Sequence, residues 1–571
     1  PALRIALAGS PETAETVFAY NTKGVKVPLT KADGYIWAGK EKKLTFRQKL
    51  VWHKEYCNHP YTFIGPNVKK WGVSPGETMN FIHKVFDVNR TGKKADYTLI
   101  VEFPEGFKRI NDHHGISIFS HYPTKNVKEE KIKYKGENYL RYTYKWTLPA
   151  KLDRNLDFYT HFLSVKHETY KFKKNNPPVI RFRRIIDGNT TDIVNEIPLH
   201  ELPPIRGGKM KKIVFPQYHN YSGGYVSYEQ WEEMVKNSVA AGLDSFMLIT
   251  GYPNIHNPGV VNVNKIKNRY AKRNLAWMHW NLPLWGTGQL KTATRLLVEK
   301  TPDLHSEFFY KEDKGVLSEL NIDFCITKAV EKYRKEFMEA LIKDYKWTIA
   351  WNGTKNIFIN DERGPRRADK TWKNISCFCQ HCKDAFFRYA KIKPYPISNE
   401  EFVKKYELQW EKFWKYYHKN KLLSMVHEAV RKAGGILSYY HTSSDSESVA
   451  FAKDLYDNLF VTIPGCAIYT GSNYQPKVDF GLAAVRKHTG RKNLYGQFRT
   501  YVADESYSSD DVYYHPEETK HQLLRIAASL HGGAICECAS FFSAGSFYYA
   551  GEATRIIAEY EDIFFNGTRN D

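Results

Sequence analysis

The sequence predicts an all-β sandwich followed by an α/β barrel, and three observations lead there. The chain has 571 residues, too many for one ordinary domain and enough for a barrel of roughly 250 to 350 residues with a second module. From Ala2 to about His200, short runs of alternating apolar and polar residues are separated by Pro, Gly and Asn clusters. Beyond Pro203 the apolar runs alternate instead with helical patterns, the signature of strands that need crossover helices. Hydrophobic residues make up 42% and charged residues 26%, enough apolar surface for two cores, which excludes disordered, collagen-like and coiled-coil classes.

In the first region Tyr97–Phe103, Gly115–Ser120, Tyr139–Leu148 and Asp157–Val165 read as strands of a sandwich. Pro203, Pro204, Gly207 and Gly208 punctuate the chain, and the boundary is placed there: residues 1–203 form the N-terminal sandwich and 204–571 the barrel. After it come eight β-type runs: Lys212–Tyr218, Asp244–Thr250, Leu275–Asn281, Asn356–Glu362, Ile436–His441, Leu459–Pro464, Asn493–Phe498 and Gly533–Cys538. Helical patterns lie between most of them, at Tyr228–Ala241, Ala329–Asp344, Glu400–Ala433 and Glu517–His531, with Gly551–Phe565 closing the series. Eight such alternations predict a (β/α)8 barrel of TIM type, although a doubly wound sheet gives the same local signals. Long inserts after the third run (Leu282–Ala329) and the fourth (Arg363–Ala390) fit loops that build an active face.

Charge is uneven. Lys and Arg number 84 against 62 Asp and Glu, a net +22, and residues 1–206 alone carry 35 basic and 21 acidic side chains. A basic front third fits either a polyanionic ligand or a solvated surface. No stretch reaches 18 apolar residues, so no membrane-spanning helix is expected. The chain opens at Pro1 with no basic-then-apolar leader; the expectation is a secreted or periplasmic protein whose signal peptide has been removed.

In a barrel, chemistry sits at the C-terminal ends of strands. Those positions read His219, Trp280, Asn360-Asp361-Glu362, His441, Gln497 with Arg499 and Tyr501, and Glu537. Aromatics such as Trp280, Trp285 and Tyr501 suit either sugar faces or packing. The run NIFINDE ends an apolar strand on Asp361 and Glu362. Adjacent carboxylates in a partly desolvated cleft push their pKa values apart, so one can stay protonated and donate to a leaving oxygen. The plainer reading pairs them with Arg363, Arg366 or Arg367.

Cys377, Cys379 and Cys382 have C-x-C-x-x-C spacing that can close three thiolates around a tetrahedral zinc. Cys325 leads as fourth ligand, with His381 as the alternative, and free thiols or a disulfide compete. A closed four-thiolate site would be structural. The chain has no G-x-x-x-x-G-K-[ST] loop, no G-x-G-x-x-G opening a helix after a strand, no H-E-x-x-H and no G-x-S-x-G, which argues against nucleotide-dependent and serine-hydrolase chemistry. No organic cofactor is expected.

At this point FINDERG…CFCQHCKDAF resembles the fourth-strand region of TIM-barrel glycoside hydrolases, particularly the zinc-containing bacterial β-galactosidases, whose acid/base segment reads D-N-E-Y-G. The resemblance implies a general acid/base at Glu362 and zinc on Cys325, Cys377, Cys379 and Cys382. GGAICECASFFSAGSFYYAGE is similar to the same family's eighth-strand region. Two departures stand out: Asp361 replaces the family's Asn, and the seventh strand, NLYGQFRTY, lacks the nucleophilic Glu. The second group is then Glu537, Asp504 or Glu505, or the substrate's own acetamide held by Asp361, because Asp361-Glu362 also resembles the pair of substrate-assisted N-acetylhexosaminidases.

Arg499 and the run Arg363, Arg366 and Arg367 are suited either to gripping sulfate or carboxylate through forked hydrogen bonds or to salt bridges with Asp361, Asp369 or Glu505. The expected function is hydrolysis of O-glycosidic bonds in an anionic polysaccharide or its oligosaccharides, a carrageenan-like sulfated galactan first, with His219, Trp280, Trp285, Arg363, His441, Gln497, Arg499, Tyr501 and Glu505 lining the subsites. The alternatives are a substrate-assisted hexosaminidase and a non-catalytic carbohydrate- or polyanion-binding protein. Nucleic acid is not an expected partner, and a homo-oligomer is compatible with the sequence.

Overall fold

The computed structural model describes residues 71–86, 94–117, 120–148, 158–186, 189–219, 227–250, 258–279, 292–307, 324–361, 377–441, 457–462, 494–498, 517–529, 533–537 and 545–567, with short strands at 4–5, 17–20, 26–27, 30–32, 35–37, 45–48 and 61–65.

Two sheets face each other in the first region. One is six-stranded and contains Ala95–Pro104, Glu137–Leu148, Val179–Ile186 and Asn189–Glu201; the other is five-stranded and contains Thr78–Phe86, Phe107–Ser117 and Phe158–His167. All pairs are antiparallel except Trp71–Val73, which lies parallel to Asn189–Glu201. Alternation puts every second residue inward, so Leu99, Val101, Phe103, Ile180 and Phe182 of one sheet share a buried cluster with Met79, Phe81, Leu163 and Val165 of the other. The Phe81 and Phe182 rings, one from each sheet, meet at 5.3 Å. The run expected at Gly115–Ser120 spans the end of one strand and the start of the next, Ser120–Pro123.

The second region is built on one sheet of eight parallel strands: β1 (Gln217–His219), β2 (Met247–Thr250), β3 (Leu275–His279), β4 (Asn356–Asp361), β5 (Ile436–His441), β6 (Asn458–Thr462), β7 (Leu494–Phe498) and β8 (Gly533–Glu537). Each pairs with its sequence neighbour from β2 through β8, and β8 pairs with β1. On its other side β1 meets the residue just before β2, through a parallel bridge between Gln217 and Phe246 and a 2.9 Å bond from the Gln217 amide to the Ser245 carbonyl. The buried Gln217 side chain adds a bond to the Leu243 carbonyl and accepts one from Ser238.

Helices join the strands. α1 (Tyr228–Ala240) starts on a capping box between Ser227 and Gln230, which satisfies donors no helical carbonyl can reach. α2 (Pro258–Tyr270) is a helix the β-branched run VVNV obscures, although Pro258 suits a first turn. The segment expected at Ala329–Asp344 is two helices, α4 (Ile326–Glu331) and α5 (Arg334–Asn352), preceded by α3 (Ala293–Lys300) inside the expected loop. α6 (Gln380–Ala390) and α7 (Asn399–Tyr417) follow, and a π-helical turn at His418–Leu423 leads into α8 (Ser424–Lys432). The last are α9 (Glu517–Ser529), α10 (Ser546–Glu559) and α11 (Glu561–Asn566).

The run expected as a strand from Lys212 pairs only from Gln217, and Glu561 is the reason. Its buried carboxylate accepts the amides of Lys211, Lys212 and Ile213 at 2.6–2.9 Å, so these donors are spent on α11. Gly207 and Gly208 mark close approaches: a Cβ at Gly207 would lie 2.1 Å from the Ala241 carbonyl carbon, and one at Gly208 2.3 Å from the Thr554 oxygen.

The sandwich rests on α1 and on the start of α10. Thr78 donates its amide to Asn237 (2.9 Å), Gln230 bonds Ser164 (2.9 Å) and Lys166 pairs with Glu233 (2.6 Å). At the centre Glu77, fully buried, accepts the amides of Ser74 at 2.7 Å and Gly545 at 3.0 Å. Burial outweighs these two bonds and lifts its pKa from 4.5 to about 7. An acid with a raised folded pKa holds more protons folded than unfolded, so the contribution of Glu77 to stability is fully present below about pH 4.5 and is lost as pH rises through 7. Thermal midpoints from pH 4.5 to 8 are expected to fall more steeply for the wild type than for Glu77→Gln, the difference levelling off above pH 7; parallel curves would show that Glu77 does not titrate in this range.

Candidate metal centre and the strand-end face

Four cysteines from two distant segments converge. Cys325 is the N-cap of α4, and its sulfur accepts the Lys328 amide. Cys379 is the N-cap of α6, Cys382 lies in that helix's first turn, and Cys377 precedes it. A third segment zips the two together: Cys325 donates its amide to the Leu304 carbonyl, Phe378 to the Glu307 carbonyl, and Glu307 donates its own amide to the Cys377 sulfur at 3.2 Å. Aromatic packing holds the segment from below, where Phe378 meets Trp410 at 5.2 Å and Phe386 meets Phe402 at 5.1 Å.

All four sulfurs are buried and lie within 4.8 Å of one another. The Cys325–Cys382, Cys379–Cys382 and Cys325–Cys379 separations are 3.3, 3.5 and 3.6 Å, far beyond a disulfide bond of about 2.05 Å. A tetrahedral ion with bonds of about 2.3 Å would set its sulfurs about 3.8 Å apart. His381, the alternative fourth ligand, turns instead toward Glu331 at 3.0 Å.

The donor set also fits electrically. Hydrogen bonds from Cys325, Cys377 and Cys382 hold the Cys379 thiol far below its ordinary range. The bond with Cys325 pushes Cys377 well up, and burial does the same to Cys382. Four thiols at this spacing therefore cannot all ionise by themselves, whereas a bound cation would compensate the charge. Amide bonds to the Cys325 and Cys377 sulfurs, with the Thr327 hydroxyl 2.9 Å from Cys382 and 3.1 Å from Cys325, supply the outer contacts that orient thiolate ligands. The cluster can hold a metal ion in a closed, four-ligand site.

The strand-end positions come together through sheet register. His219 pairs with Glu537, Asp361 with His441, and Thr462 with Gln497. Neighbouring strands lie about 4.8 Å apart, so these backbones are adjacent. Glu362, Arg363, Trp280, Trp285, Arg499, Tyr501, Asp504 and Glu505 lie outside the described residues, as do Arg366, Arg367 and Asp369. One position was missed: His279, in register with Asn360, ends β3. A polar residue closing the apolar run LAWM was the available signal.

No protein-family model matches the chain, and no curated protein sequence matches it. Solved structures similar to it include alpha-L-fucosidase isoenzyme 2 from Paenibacillus thiaminolyticus, at 12% identity and a TM-score of 0.37, covering 62% of this chain and 51% of that one. The alignment thus spans about half of the fucosidase. The Bacillus megaterium spore cortex-lytic enzyme SleL aligns at 9% identity and a TM-score of 0.30, over 62% of this chain and 76% of that chain. Tryptophan synthase from M. tuberculosis aligns at 9% identity and a TM-score of 0.27, over 61% and 92%. Among the described residues no helix is long and apolar enough to cross a membrane.

Elemental analysis of the purified protein is expected to find about one divalent metal ion per chain. Cys382→Ser should lose most of it and melt several degrees lower, because a closed thiolate site contributes folding energy. Full metal content in that variant would sink the four-cysteine assignment.

Proposed function

We propose that this protein is a glycoside hydrolase acting on an anionic polysaccharide or its oligosaccharides, with a carrageenan-like sulfated galactan as first substrate. The observation that carries the reading is the parallel register, which sets Asp361, the residue before Glu362, beside His441, and Glu537 beside His219. We read the eight strands as a closed (β/α)8 barrel of TIM type, residues 204–571, behind a separate sandwich of residues 1–203. The bridge from Gln217 to Phe246 supports closure, because it joins the two strands that would otherwise be sheet edges.

In the proposed mechanism Glu362 protonates the departing glycosidic oxygen and then activates water. Glu537 attends the anomeric carbon from β8, across the ring of strands. Carboxyl groups about 5 Å apart would give retention, and roughly 6.5 to 9.5 Å inversion. Arg363 and Arg499 bind sulfate or carboxylate, His219, Trp280, Trp285, His441, Gln497, Tyr501 and Glu505 line the subsites, and the basic N-terminal region raises local substrate concentration. The four cysteines hold a structural zinc that ties the inserts after β3 and β4 and takes no part in bond cleavage.

A second reading is favoured by β7, whose residues Leu494–Phe498 include no carboxylate. In it either the substrate's acetamide, oriented by Asp361, replaces the nucleophile, or the protein binds glycan without cleaving it.

Reducing-end release from sulfated galactans, glycosaminoglycans and neutral galactosides, with wild type and Glu362→Gln side by side, separates these readings. The expected result is cleavage of a sulfated galactan, lowered about 10²- to 10⁴-fold in the variant. Cleavage confined to hexosamine-containing glycans favours the substrate-assisted mechanism, and none anywhere with retained polyanion binding overturns the hydrolase.

A further inference from the structure

The C-terminal half of α5 carries a surface that the strand-end chemistry does not use. Trp347 and Trp351, one helical turn apart, stack with ring centroids at 5.5 Å and planes 16° apart. Both are large apolar groups left in solvent, at 38% and 39% exposure. More than a third of each indole stays open to solvent, and the stacked pair offers one continuous aromatic surface rather than two scattered side chains.

The surroundings identify its chemistry. Lys343 continues the same i, i+4 ridge, Lys346 flanks it, and Lys355 follows the helix's left-handed cap at Gly353; all three are exposed. Lys346 and Lys355 form no ion pair among the described residues, and the carboxylate that acts on Lys343 is that of its neighbour Asp344. The one acid between residues 343 and 355, Asp344, is turned inward, where it accepts the amides of Ala293 and Thr294 and the Thr294 hydroxyl. From Lys343 to Lys355 the surface is thus aromatic and cationic, and the exposed Glu339, one turn before Lys343, bounds it at the other end. Lysine is depleted where protein surfaces meet, so a flat polyanion with apolar ring faces fits better than a second protein.

Position separates this surface from the proposed active site. Trp351 lies five residues before the start of β4, while Asp361 ends that strand, whose six residues span roughly 17 Å along the sheet. The patch is at the end of the sheet remote from the strand-end face. The ridge from Lys343 to Trp351 rises about 12 Å, long enough to meet more than one sugar unit.

We propose that Lys343, Lys346, Trp347, Trp351 and Lys355 form a secondary binding site for an anionic polysaccharide, which holds the polymer on the enzyme away from the bond being cleaved. The substrate class rests on the function proposed above. The indole pair is pre-stacked, so little side-chain freedom is lost on binding, and sugar rings pack against aromatic surface while the ammonium groups meet sulfate or carboxylate.

The test compares wild type, Trp347→Ala, Trp351→Ala, Trp351→Tyr and the triple variant Lys343→Gln/Lys346→Gln/Lys355→Gln. Affinity for a carrageenan and for chondroitin sulfate is measured by calorimetry at two salt concentrations, beside hydrolysis of a short oligosaccharide of the same glycan. Either Ala variant is expected to weaken polymer affinity roughly tenfold, with Trp351→Tyr restoring much of it, and the lysine variant to flatten the salt dependence. Oligosaccharide hydrolysis and thermal midpoint should stay near wild type. A lowered midpoint with unchanged polymer affinity would make the pair a helix brace and overturn the site. So would an equal or larger loss for single-stranded DNA, which also uses stacking on aromatics and a positive surface. If no glycan is cleaved by any form yet the Trp variants lose polymer affinity, the hydrolase reading fails and the site stands. Cleavage by all forms with unaltered polymer affinity removes the site alone.

Discussion

A parallel sheet has two hydrogen-bonding edges and two faces, and none of them can be left to water without cost. Much of this protein's second region follows from that constraint. β1 is three residues long and still has partners on both sides, β8 on one and the chain before β2 on the other. Gln217 reinforces the second contact with its side chain, in a position where a buried amide must find both a donor and an acceptor. The helices cover the sheet, and Ile357, Ile359, Leu437 and Tyr439 share one buried cluster with Phe337, Leu341, Phe547 and Ile557. Because consecutive strands run the same way, all their C-terminal ends reach one side.

The cysteine cluster solves a different problem. Loops that leave the ends of β3 and β4 must return to the shell, and long connections cost conformational entropy. Cys325 belongs to the return path of the first and Cys377, Cys379 and Cys382 to that of the second. Their convergence fixes both returns at one point, and the amides of Glu307 and Lys328 hold the sulfurs in place. Around them the cluster of Phe378, Phe386, Phe402 and Trp410 excludes water, which strengthens the attraction of thiolate for cation and raises the cost of leaving that charge uncompensated.

Much of this architecture is legible in the amino acids. All eight β-type runs of the second region overlap strands of one parallel sheet, and the Ile436–His441 boundaries coincide with the structure. The C-x-C-x-x-C spacing, with Cys325 as fourth member, reads through to the cluster because a capping turn places sulfurs three residues apart on one side. Where reading failed, a distant residue decided. Nothing local to Lys211–Ile213 signals that Glu561 takes those three amides, and the π turn at His418–Leu423 carries no Pro or Gly to announce it. α2 was missed because Val and Ile suit strands as well as helices, and tertiary packing overrides such weak preferences. Strand register, finally, cannot be seen in sequence, so the adjacency of His219 with Glu537 emerges only in three dimensions.

The Glu561 clasp bears on the order in which the molecule can form. β1 draws its partners from β8, more than 300 residues later, and the segment leading into it is held by a carboxylate some 350 residues downstream. On a ribosome adding about 5 to 20 residues each second, Gln217 emerges tens of seconds before either is made. The strand pairings of the sandwich are complete by Glu201, although its buried Glu77 still awaits the Gly545 amide; the parallel sheet must wait longer. Through most of synthesis the nascent chain therefore carries an opening strand whose partners are not yet made, so the second region closes late rather than as it emerges.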